Sequence, residues 1–139
     1  MANRDLANNL KFARGISATT VTNANTAFVS QIFDTADYDA VAFAIQTAAL
    51  TDANATFAVT VDHGNVSNLS DAASVPAAQL TGTLASAGFT FADDDATRYI
   101  GYVGDKRYVR VTVTPSGNDA GSATVAGVWV ALAKLQPAV

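Results

Sequence analysis

Proton chemistry in this chain would have to begin at Asp62-His63-Gly64, because His63 is its sole imidazole and imidazole titrates near neutral pH. A histidine base needs something to activate. No Gly-x-Ser-x-Gly elbow is present and there is no cysteine, so neither a seryl nor a thiol nucleophile accompanies it. His63 therefore reads as a loop histidine at a strand end. A zinc site needs three or four ligands, and one imidazole without cysteine does not supply them. Asp93-Asp94-Asp95 offers oxygens to a calcium ion, yet the twelve-residue EF-hand spacing is missing and the triplet reads as solvated negative surface. The acidic residues are twelve aspartates with no glutamate. A glycosidase pair would thus be two aspartates, and no two fall in a cleft-like context. No Gly-x-Gly-x-x-Gly or phosphate-loop pattern occurs. The residues point away from an enzyme, with no catalytic residue, metal or cofactor assigned.

The densest polar grouping lies later. Arg98, Lys106, Arg107 and Arg110 stand beside Tyr99, Tyr102 and Tyr108, the combination that binds single-stranded nucleic acid through phosphate pairing and base stacking. Strand alternation separates these cations, and the chain carries a net charge of −4, so nucleic acid is the weaker reading. Arg and Tyr are also enriched where proteins meet. Arg98, Arg107, Tyr108 and Arg110 are accordingly candidate interface residues, with ordinary sheet surface as the plain alternative. A second basic group, Arg4, Lys11 and Arg14, falls within the first fourteen residues around Leu6 and Leu10. All five are candidates for contact with an acidic neighbour.

The elements that position these groups are strands. From Arg107 to Thr114 the chain alternates, with Val109, Val111 and Val113 on one side and Tyr108, Arg110, Thr112 and Thr114 on the other. Pro115 is expected to end that strand. Gly104-Asp105 is expected to turn a hairpin joining it to the run from Arg98. Val41, Phe43 and Ile45 oppose Ala40, Ala42, Ala44 and Gln46, which predicts a central strand whose second face is closely covered. Phe57, Val59 and Val61 oppose Thr56, Ala58 and Thr60. With an ambiguous strand at 28–33, these form an expected meander. Residues 62–97 read as a long middle loop, with a short helix over Ala77–Ala85 opened by Pro76 and Leu80, Leu84, Phe89 and Phe91 packing beneath it. The closing strand sets Val128, Val130 and Leu132 against Gly127, Trp129 and Ala131, and is expected to pair with Arg107–Thr114.

At 139 residues the chain fits one domain with a real core. Aspartate in place of glutamate, with abundant Thr, Val, Asn and Gly, suits a β domain with acidic loops. The expected fold is all-β, an antiparallel β-sandwich or small β-barrel over residues 27–139, preceded by an extended N-terminal arm at 1–26. The first residues lack the apolar stretch of a signal peptide, and no run reaches membrane-spanning length; a soluble product is expected.

Met1-Ala-Asn-Arg-Asp-Leu6, Arg98-Tyr-Ile-Gly-Tyr-Val-Gly-Asp-Lys-Arg-Tyr-Val-Arg-Val111 and the closing Gly127-Val-Trp-Val-Ala-Leu132 together resemble small structural proteins of tailed bacteriophages. Those proteins are encoded in the head-morphogenesis region, and some resemble capsid decoration, or cement, proteins. The likeness covers the start and roughly residues 38–134. Where many relatives carry Thr-Asp-Gly and Glu-Ser-Asp-Asp, this chain has Thr51-Asp52-Ala53 and Asp62-His63-Gly64-Asn65, so contacts made by those loops are not carried over. The resemblance implies a non-enzymatic virion protein on the capsid exterior, made in the host cytoplasm. Its implied partner is the major capsid protein, bound as a dimer or trimer of this chain, without specific nucleic acid or membrane. A head–tail joining or tail-tube protein is the alternative. A bacterial carbohydrate-binding sandwich is a third reading, which requires Tyr99, Tyr102, Tyr108 and Trp129 to share one open face.

Overall fold

The computed structural model of the chain describes residues 6–133; Arg4 and the tail from Lys134 to Val139 lie outside them. Eleven strands follow a helical turn α1 (Leu6–Asn9): β1 (Leu10–Thr22), β2 (Phe28–Val29), β3 (Phe33–Asp34), β4 (Tyr38–Leu50), β5 (Thr56–Gly64), β6 (Ala73–Ser74), β7 (Leu80–Thr81), β8 (Phe89–Thr90), β9 (Thr97–Tyr102), β10 (Tyr108–Ser116) and β11 (Ser122–Ala133), with α2 at Leu84–Ala87. The first sheet runs β1-β11-β4-β9-β7. The second runs β2-β10-β5-β6, with β3 also on β10 and β8 also on β5. Every pairing is antiparallel, and the two sheets form a β-sandwich.

Alternation predicted the inward faces. Val109, Val111 and Val113 of β10, Val41, Phe43 and Ile45 of β4, and Phe57, Val59 and Val61 of β5 are all buried. Each such side chain contributes roughly 1.5–3 kcal/mol by leaving water. At the middle, Trp129 of β11 stacks on Phe33 at 5.3 Å and meets the Phe43 ring edge-on at 4.7 Å. Its indole N–H donates to the Gln31 carbonyl at 3.1 Å, so one side chain ties the first sheet to the segment between β2 and β3. Glycine makes room for this cluster. A Cβ on Gly15 or Gly127 would overlap the Phe43 ring.

Strand neighbours differ from the expected ones. β4 and β5 go to opposite sheets, and so do β9 and β10, so neither the meander nor the hairpin forms. The 103–107 link crosses between the sheets instead. The Tyr102 hydroxyl grips Lys106 by both its amide (3.0 Å) and its carbonyl (3.1 Å), and Gly104 lies so close to that ring that a Cβ would sit 2.6 Å from it. β11 does not pair with β10, because β10 already has β5 on one side and β2 and β3 on the other; β11 lies between β1 and β4. Pro115 does not end β10, which continues to Ser116 opposite Thr56. The pairing with β2 has stopped at Val113, so a missing donor there breaks no ladder on that side. The expected helix over 77–85 is split. A single 3₁₀ turn at Ala77–Gln79 leads into β7, Gly82 adopts φ +88°, and α2 restarts with Thr83 accepting from the Ser86 amide at 3.1 Å. Leu10–Thr22, expected within an arm, is the edge strand of the first sheet, with bulges between Arg14 and Ile16 and between Ile16 and Thr19.

Gly127→Ala should lower unfolding free energy by about 1–3 kcal/mol, since an inserted methyl must displace a fully packed ring. Ala126→Val, one residue away and facing outward, should change it by less than about 0.5 kcal/mol. Urea unfolding of both variants measures the difference, and equal values would show that the Phe43 slot is loose.

Candidate functional site

The basic cluster of the sequence is dispersed, and its three arginines are internally neutralised. Arg98 points inward beside Ile45 and pairs with Asp93 at 2.8 Å. Asp93 sits below the ordinary carboxylate pKa, chiefly because the Thr90 amide donates to it and also because of Arg98. Arg107 makes two 2.8 Å hydrogen bonds to Asp34, which hold that carboxyl low and the guanidinium high. The same guanidinium lies 5.1 Å over the Tyr108 ring. Arg110 faces Asp62 across the strands at 3.8 Å. All three arginines thus have an aspartate of their own chain. Of the aspartate triplet, Asp94 caps the Leu50 amide at 2.9 Å, while Asp95 takes φ +52°. These carboxylates shape the loop before β9. Among the described residues no carboxylate pairs with Lys11 or Arg14, both exposed on β1. Leu6 is exposed, and Leu10 is half-buried.

His63 is not in a loop. It faces inward from β5 and is buried, with Nδ1 2.9 Å from the Tyr102 hydroxyl and the two rings edge to face. With the tyrosine proton directed to the Lys106 carbonyl, Nδ1–H of His63 is the donor. Tyr102 belongs to the first sheet and His63 to the second, so this pair is a strut between them. Burial first, and the Lys106 charge second, push the histidine pKa down.

The four aromatic residues of a sugar platform do not share a face. Trp129 and Tyr102 are buried, Tyr108 is half-buried on the second sheet, and Tyr99 is exposed on the first. What the structure does assemble is an outward surface that the sequence reading did not mark. On the first sheet one cross-strand row runs Phe12, Val130, Ala42, Gly101, Thr81. The rows beside it run Leu10, Leu132, Ala40 and Arg14, Val128, Ala44, Tyr99. Large apolar groups stand at its margins, with Phe12 53%, Tyr99 71%, Val103 62% and Leu132 40% exposed. Alanine and glycine form its floor, which leaves a depression of about 280 Å³. Arg14 is the one charge within these rows. The second sheet's outward face is mostly polar: Thr60 faces Thr112, Thr56 faces Ser116, and Asp62 faces Arg110, with Val29 beside Thr112 as its exposed aliphatic residue. An antiparallel sheet with a free face ordinarily makes that face polar; the second largely obeys, whereas the first does so only at its other end, where Thr20 faces Thr124 and Gln46 faces Thr97. The signal was present in the sequence. Alanine at 40, 42 and 44 predicted a covered second face, yet among the described residues nothing covers it.

No family model matches the chain, and no curated protein matches it. Solved structures do. A structure of infectious bursal disease virus, Gx strain, matches over 89% of this chain and 32% of its own, at 8% identity and TM-score 0.46; the chain spans about a third of that protein. The xylan-binding module CBM15 matches over 95% of both chains at 16% identity and TM-score 0.43. A CBM32 module of AlyQ, solved with 4,5-unsaturated mannuronic acid, matches over 79% of this chain and 75% of its own, at 17% identity and TM-score 0.39. Likenesses this distant assign neither a ligand nor a partner to this chain.

The strut has a pH signature. A histidine whose pKa is lower folded than unfolded takes up protons more readily in the unfolded chain. Stability is therefore full above the unfolded value and declines as pH falls below about 6.5, until the folded pKa is passed. Urea unfolding between pH 8 and pH 5 should show that decline in the wild type and its absence in His63→Gln. A wild-type profile flat over this range would mean that His63 accepts its proton without strain on the fold.

Proposed function

We propose that this chain is a non-enzymatic structural protein of a tailed-bacteriophage virion, decorating the assembled capsid through the outward face of its first sheet. The observation that carries the reading is the contrast between the two outward faces. Folding requires the inward positions of both sheets to be apolar, but it makes no such demand outside. A contiguous apolar face with exposed Phe12, Tyr99, Val103 and Leu132 therefore fits a surface that meets another protein. The resemblance of the Arg98–Val111 and Gly127–Leu132 segments to phage head proteins supplies the class of partner, the major capsid protein. Arg98, Arg107 and Arg110 serve their own ion pairs, and the contact is made by Phe12, Tyr99 and the alanine floor, with Leu6, Leu10, Lys11 and Arg14 along its margin. Binding to the assembled shell but not to free subunits shifts the equilibrium toward the shell by mass action, so many weak clamps together stabilise it. On a shell, two- or three-fold copies of the chain fit this role. A six- or twelve-membered ring would place it at the head–tail junction or tail tube instead.

Ala42→Asp tests the reading. A carboxylate at the centre of the floor should leave unfolding of the free protein within about 1 kcal/mol of wild type, since the position faces outward. Retention on purified shells should fall by about a hundredfold or more, because an unpaired charge is then buried in the contact. Arg110→Ala, on the polar face, should be retained like wild type. Full retention of Ala42→Asp would contradict the assignment, and loss with Arg110→Ala alone would move the contact to the second sheet.

A further inference from the structure

Sheet edges offer unpaired backbone groups, and this sandwich treats its edges unequally. Its other three edges carry only two-residue strands: β7 in the first sheet, beside Gly101 and Tyr102 of β9 with α2 packed against the rest of that strand, β2 and β3 on one side of the second, β6 and β8 on the other. Very short edge strands of this kind block addition of a further strand. β1 is the exception. It is thirteen residues long, more than twice the usual strand length of about five or six, and among the described residues no strand pairs with its outer side. Its two bulges bend it after Arg14, and the Gly15 carbonyl is taken by the Gln31 amide at 2.8 Å. The straight run that stays open is Leu10–Arg14.

That run is continuous with the apolar face, since Leu10, Phe12 and Arg14 begin its three rows. The face alone measures about 14 Å by 20 Å from strand and residue spacings, well short of the roughly 800 Å² each partner buries in a standard interface. A stable contact on this face must therefore extend beyond it, and β1 is the border where backbone groups are free. The charge on this border identifies the occupant. Lys11 and Arg14 lack a described carboxylate partner, whereas Arg98, Arg107 and Arg110 each have one. Two cations on one short edge oppose pairing with the same edge of a second copy and favour an acidic strand.

Resting on the decoration reading, we infer that Leu10–Arg14 accepts an extended acidic segment of the capsid protein as a sixth strand of the first sheet. That strand places apolar side chains beside Leu10 and Phe12 and carboxylates beside Lys11 and Arg14. Backbone hydrogen bonds supply attachment, and the alternate side chains supply register.

Amide hydrogen exchange of the full chain tests the edge itself, with the capped peptide Thr-Asp-Thr-Val-Asp-Val-Thr as probe, whose antiparallel register sets Asp, Thr, Val, Asp and Val beside Arg14, Ala13, Phe12, Lys11 and Leu10, and the same peptide bearing Lys for Asp as its control. The acidic peptide should slow exchange severalfold within Leu10–Arg14, the basic one should not, and in Lys11→Asp/Arg14→Asp the preference should invert. No slowing within Leu10–Arg14, or equal slowing by both peptides, overturns the inference. A second arm measures retention on purified shells, where the double variant should bind about tenfold more weakly at low salt and the gap should close as salt rises. Undiminished retention of the double variant overturns the inference while leaving decoration standing. If wild type itself is not retained, the decoration reading fails and with it the capsid as donor of the strand; the peptide result then reports on the edge alone. Circular dichroism and unfolding of the double variant, whose substituted side chains are exposed, exclude misfolding as the cause of any loss.

Discussion

The sandwich depends on the contact in which Trp129 bridges its two sheets. The indole lies against Phe43 of its own sheet and Phe33 of the other, and its N–H is anchored on Gln31. Phe43 in turn fits only because Gly15 and Gly127 have no side chain. This fixes the separation of the sheets and holds β1 and β11 in place around it. With the interior closed by these rings and by the valines of β5 and β10, the outward positions are free of any folding duty. Their composition can then be read as function: threonine and paired charge on one face, alanine, valine and exposed rings on the other.

Much of this was legible in the chain. Alternation assigned the inward residues of β4, β5 and β10 correctly, because period-two burial is a local property. Strand partners were not legible. Each of β4, β5, β9, β10 and β11 lies in the opposite sheet from the one before it, and the turns responsible act through contacts distant in sequence. Asp52, for instance, accepts from the Ala120 amide at 2.8 Å, while fully buried Asn118 donates to the Ala24 carbonyl at 2.9 Å. Proximity along the chain made Gly104-Asp105 resemble a hairpin turn, whereas the Tyr102 hydroxyl directs that segment across the sandwich.

The interface candidates show the same limit. Arg98, Arg107 and Arg110 cluster in sequence, but a strand and a crossing loop separate them in space and each meets a carboxylate that sequence spacing does not reveal. Asp34 lies far from Arg107 along the chain and is brought to it by the pairing of β3 with β10. The apolar face lacked any motif because its residues are alternate outward positions spread over five strands. Its one local trace was the alanine series at 40, 42 and 44, small enough to lie under a partner and too small to announce one.

Hydroxyl-radical footprinting of the free protein and of the same protein on purified shells tests the central claim directly, because both outward faces carry an oxidisable ring. Contact through the first sheet predicts that Tyr99 and Phe12 become protected on the shell while Tyr108 of the second sheet keeps its free reactivity. Protection of Tyr108 with Tyr99 and Phe12 unchanged would contradict it and would turn the molecule over on its partner.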